Sequence, residues 1–142
     1  MKAYFLIITM LSLMACQIEN TIEPTSNKLD GQWQLMKTTV GYPAPNSPTE
    51  IKVTNTEIIE FNTSSKTFTR SLNGKVVEKT DFEIQALAYN GSEPREAIVF
   101  PKNKNYAFIT YDDNNSTIIL YEKTPIGVVL ADGNSYHYQK VK

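Results

Sequence analysis

LDGQWQLMK, residues 29–37, carries the only tryptophan of a 142-residue chain, two positions after a glycine. In an extended segment successive side chains alternate, so Trp33 shares a face with Leu35. Gly31 lacks a Cβ, which lets the chain bend tightly beneath the bulky ring. Trp33 is then either a ligand-stacking residue or a plug in a core. The plug is favoured, because a buried tryptophan chiefly supplies packed area.

Downstream, runs rich in Val, Ile, Thr, Tyr and Phe read as strands at 31–38, 51–61, 66–72, 75–85, 96–100, 105–111, 116–122 and 134–141. Turn chemistry fills the gaps: Asn73-Gly74, Asn90-Gly91, Asp112 to Asn115, and Asp132-Gly133. GYPAPNSPTE, residues 41–50, holds three prolines and must be a loop. The only helical candidate, Phe82 to Ala88, is short and lacks good caps. The pattern predicts an all-β domain, a single antiparallel meander of about eight strands. Such a meander closes most naturally into a barrel or strongly coiled sheet.

Upstream, MKAYFLIITMLSLMAC has a positive Lys2 and an apolar run from Tyr4 to Met14. That run is shorter than the roughly 20 residues needed to span a bilayer and fits an export signal. Leu13-Met14-Ala15-Cys16 resembles the lipobox of bacterial lipoproteins. The resemblance implies cleavage before Cys16, a diacylglyceryl group on its sulfur, and a third acyl chain, such as palmitate, on the new amino terminus. Anchoring by more than one chain is stable. Gln17 is not the Asp associated with inner-membrane retention, so the outer membrane of the cell envelope is the expected address. Domain organisation follows: a signal at 1–15, a flexible lipidated tether at 16–28, and a globular domain at 29–142.

Without the signal, fifteen acidic side chains face thirteen Lys and Arg, a formal charge of about −2. The charges are interspersed, and no basic stripe offers a face to nucleic acid. A lone cysteine cannot form an intramolecular disulfide.

Gly31-Gln32-Trp33, preceded by Leu29-Asp30, resembles the G-x-W signature of lipocalins. More closely it resembles the L-x-G-x-W-x-L opening of the lipocalin-like domain in small Gram-negative lipoproteins. "IIEFNTSSKTF" and the final "DGNSYHYQKV" extend the similarity over most of the mature chain. The resemblance implies a calycin-like barrel with Trp33 packed across its closed end. The family's late-strand Arg, which lies on the indole, corresponds to Lys140. Lysine can make a cation–π contact of about 0.5–1 kcal/mol, but it lacks arginine's planar fork. Gly31, Trp33 and Lys140 are therefore the expected barrel-end set.

Catalytic and metal chemistry find little material. His137 is the sole histidine and Cys16 is committed to lipid, so no metal site or cofactor is expected. His137 lies between two tyrosines with no nucleophile motif nearby. Asp112 to Asn115 lacks the glycine and distal Glu of a calcium loop and reads as a hairpin turn. Glu57, Glu60, Asp81 and Glu83 could form a glycosidase pair, but their alternation with apolar residues points them to solvent. The protein is not expected to be an enzyme.

Aromatic content on the last three strands stands out. Tyr106, Phe108, Tyr136 and Tyr138 are the candidate ligand-binding residues, as the wall of a pocket for a small hydrophobic or aromatic molecule. Ordinary cross-strand packing is the competing account. Two functions follow: a membrane-anchored binding protein, or a non-enzymatic interaction module with a filled core. The second would dock an envelope protein through the 41–50 loop or an open sheet edge.

Overall fold

The computed structural model describes residues 26–88 and 91–141. Cys16, the signal and most of the tether lie outside the described residues. The tether's last residues belong to a one-turn helix, α1 (Ser26–Leu29), whose Leu29 is fully buried.

Eleven strands follow: β1 (Gly31–Thr39), β2 (Glu50–Lys52), β3 (Glu57–Asn62), β4 (Thr67–Leu72), β5 (Lys75–Asp81) and β6 (Glu83–Leu87), then β7 (Arg95–Phe100), β8 (Asn105–Tyr111), β9 (Thr117–Tyr121), β10 (Thr124–Pro125) and β11 (Ser135–Lys140). The fold is all-β. Nine of the strands run in the order β5-β4-β3-β1-β11-β9-β8-β7-β6, with antiparallel pairing throughout. The short β2 and β10 extend the ribbon beside β1 and β8.

Among these nine, each strand neighbours the next one in sequence, and the first strand pairs with the last, as in an up-and-down barrel. Only one junction departs from that circuit. β5 and β6 stand at opposite edges of the sheet, yet a single residue, Phe82, joins them in the chain. The sheet must therefore curl until its edges approach, giving a half-barrel with an open seam.

Side chains bridge that seam. Lys123 Nζ donates to both oxygens of Glu78 at 2.7 and 2.9 Å. Asn103 Nδ2 donates to Glu78, and Lys102 pairs with Asp81. The expected run at 75–85 is thus two strands. Phe82 is the corner, buried against Phe61 at 5.1 Å between ring centroids. The weak helical candidate at 82–88 is strand instead, because β6 finds a partner in β7. The run at 51–61 is also interrupted, at residues 53–56, where the ribbon passes from β2 to β3.

Asn73 and Gly74 both have positive φ, +49° and +79°, the geometry of a type I′ hairpin between β4 and β5. Gly31 sits at φ +111°, a conformation that penalises any side chain, at the entrance to β1. Two residues on, Trp33 is fully buried, and its Nε1 donates to the Leu29 carbonyl at 2.8 Å. Lys140, directly across the β1–β11 pair, places Nζ 5.0 Å from the indole centroid. Gly31, Trp33 and Lys140 meet at one end, with Leu29, Ile59, Phe61, Phe68 and Ile118 completing the core around them. Trp33 is a plug.

Candidate functional site

Away from the Trp33 plug, the concave face of the sheet holds a cavity of about 320 Å³. Its apolar floor is Ile59, Phe68, Phe100, Ala107 and Leu120. Register explains the rest of the lining. Directly opposed residues share a face of a pleated sheet, and Trp33, Ile59, Arg70 and Glu78 are successive partners across β1, β3, β4 and β5. Trp33 faces inward, so Arg70 and Glu78 do too. Glu57, two residues before Ile59, follows by the period of two.

The expectation that Glu57 faces solvent is therefore wrong. It is buried, 6% exposed, and both oxygens are engaged. Arg70 Nη2 donates to Oε2 at 2.7 Å, and Tyr138 Oη donates to Oε1 at 2.7 Å. Burial, reinforced by the Glu57 carboxylate, pushes the Tyr138 phenol far above its ordinary range, so it stays a donor. The hydrogen bond to Glu57 in turn holds Arg70 firmly charged.

Lys123 completes a second pair with Glu78. Its ammonium also lies over the Phe100 and Phe68 rings, 4.3 and 4.9 Å from their centroids. Glu122 enters at the break between β9 and β10, where it accepts the Asn134 N–H at 2.8 Å. Tyr136 stands beside it, half-buried, its phenol raised by burial and by the Glu122 charge.

The four aromatic candidates divide. Tyr136 and Tyr138 line the cavity. Tyr106 and Phe108 lie on the opposite face of the sheet. Leu120 is opposed by Ile109 on one side and Tyr136 on the other, so the inward residues of β8 are odd-numbered. Tyr106 and Phe108 instead pack with Ala97 and Val99, and Tyr106 Oη donates to the Val128 carbonyl of the loop crossing them. Arg95 lies over Phe108 and Tyr121 there, 4.6 and 5.1 Å from their centroids.

The other candidates serve the scaffold. Asp112 accepts the N–H groups of Ser116 and Thr117, closing the β8–β9 turn, and these bonds hold its carboxyl below the usual range. Glu60 points outward to Gln32, and Glu83 accepts from Gln85. Among the described residues no group of three or more His, Cys, Asp or Glu is arranged to hold a metal. Tyr42 is 79% exposed at the base of the 41–50 loop.

His137 sits on the outer face opposite Lys37, its Nε2 3.0 Å from Thr39 Oγ1. Burial, with Lys37 second, lowers its pKa below the ordinary 6.5. A basic group depressed by folding destabilises the fold when it must charge. Stability is then full above about 6.5 and falls as pH drops through the lowered value. Thermal melts between pH 7.5 and 5.5 should show that decline, and His137→Gln should flatten it. An unchanged slope in the variant would refute the assignment.

Residues the sequence reading passed over are Arg70, Glu78, Glu122 and Lys123. Phe68-x-Arg70 carried a usable signal, since a core phenylalanine two residues away places the arginine on the same face. Comparison with protein-family models, curated proteins and solved structures returns no match.

Proposed function

We propose that the protein is a non-enzymatic, lipid-anchored binding protein of the cell envelope, lipocalin-like in design, that takes a small molecule with an apolar body into its half-barrel. The cavity on the concave face carries this reading. Its volume, about 320 Å³, falls at the lower end of the roughly 300–1,000 Å³ typical of ligand pockets. An apolar floor with a few fixed polar groups around it is the usual composition of such sites. Five apolar side chains supply the floor, and Tyr136, Tyr138, the two charge pairs and Glu122 stand around it.

Calorimetric titration of the mature domain with short fatty acids, alcohols and aromatic metabolites tests the reading. Saturable one-to-one binding is expected for at least one class. Ala107→Leu, which fills the floor, should weaken it at least tenfold while the variant still melts cooperatively. Absence of binding across the panel, or binding indifferent to Ala107→Leu, would overturn it.

Anchoring is a separate matter and rests on Leu13-Met14-Ala15-Cys16. Cys16→Ala should abolish incorporation of labelled palmitate and leave an uncleaved precursor. Acylation of that variant at the wild-type level would refute the lipobox.

A further inference from the structure

We infer that the cavity selects a cationic amphiphile, a primary or secondary amine on a small apolar or aromatic body, with Glu122 as its counter-ion. The inference rests on the reading of the cavity as a ligand site and adds the sign of the ligand's charge. Three carboxylates line the cavity, Glu57, Glu78 and Glu122, against two cations, Arg70 and Lys123. Both cations are already neutralised: Arg70 pairs with Glu57 at 2.7 Å, and Lys123 pairs with Glu78 at 2.7 Å.

Glu122 is the remainder. It accepts one backbone N–H through Oε2, and among the described residues no cation pairs with it. An anionic ligand would have to displace a carboxylate from Arg70 or Lys123 while facing Glu122. Removing one member of a partly buried pair strands the other, which is costly. A cation breaks nothing and supplies the partner that Glu122 lacks.

The surroundings favour the same sign. Tyr136 stands beside Glu122 on the cavity wall, and aromatic faces attract ammonium groups. Leu120 and Ala107 continue from Glu122 onto the floor toward Phe100 and Phe68, where an apolar body would lie.

A matched series with one skeleton isolates the charge: 4-phenylbutylamine, 4-phenylbutanol and 4-phenylbutanoate, titrated calorimetrically at pH 7 in low salt. A charge-assisted hydrogen bond exceeds a neutral one by about a factor of ten in affinity. The amine should therefore bind about tenfold tighter than the alcohol, and the carboxylate more weakly than either. Glu122→Gln keeps an acceptor for the Asn134 N–H and should bring the amine down to the alcohol's affinity.

Equal binding of amine and alcohol, tighter binding of the carboxylate, or an amine affinity untouched by Glu122→Gln would each overturn the inference. In those cases the cavity remains a ligand site. Failure of all three probes, with failure of the wider panel, would remove the ligand site and the inference together.

Discussion

Trp33→Ala is expected to cost about 3–5 kcal/mol of unfolding free energy, the range for deleting a large buried aromatic side chain. Few domains can lose that much from a total of about 5–15 kcal/mol without populating unfolded molecules. Three features put this position at the top of the scale. The indole is fully buried among Leu29, Ile59, Phe61 and Ile118. Its Nε1 satisfies the carbonyl of Leu29, itself fully buried, so truncation leaves that oxygen without its partner. Its face also carries the Lys140 ammonium, across the pair that joins the first strand to the last.

Trp33→Phe separates these contributions. It retains most of the packing and loses the Leu29 hydrogen bond, so a loss of about 1–3 kcal/mol is expected. Urea unfolding followed by circular dichroism measures both variants. Trp33 is not among the cavity residues, so Trp33→Phe should bind the probe panel with wild-type affinity. A variant that kept full stability but lost binding would make Trp33 a site residue and not a plug.

The strands were legible because composition and turns speak locally. Each of the eight expected runs contains strand, and Asn73-Gly74 turns as its dipeptide requires. Phe82 was not legible as a corner. Nothing in the unbroken run from Lys75 to Gln85 says that its two halves pair at opposite edges of a sheet.

Faces were harder still, because a strand's inward set depends on register with distant strands. In Glu57-Ile58-Ile59-Glu60-Phe61 apolar residues fall on both faces. Only the Trp33–Ile59 pairing sends Glu57 inward. On β8, Tyr106-Ala107-Phe108-Ile109 is apolar throughout, and the Ile109–Leu120 pairing turns its two rings outward. Gly31, Trp33 and Lys140 lie together in the fold, and their juxtaposition was legible because a glycine, a tryptophan two residues on and a late-strand cation state it locally. The charged half of the cavity was not. Arg70, Glu78 and Lys123 resemble any solvated strand residues until the sheet curls and brings them together.

Arg70→Met is expected to cost about 2–4 kcal/mol, although the arginine is partly exposed. The cost lies in what remains, since Glu57 keeps only the Tyr138 hydroxyl as partner while its side chain is 8% exposed. Breaking a buried pair by removing one member costs about 3–5 kcal/mol, and the 38% exposure of Arg70 moderates that figure. A double-mutant cycle makes the argument quantitative. Glu57→Gln with Arg70→Met leaves a neutral amide beside Tyr138 and no stranded charge. The double variant should therefore be more stable than Arg70→Met alone by at least about 1 kcal/mol, a positive coupling within the range for residues in contact. Purely additive losses would mean that solvent, and not Arg70, neutralises Glu57.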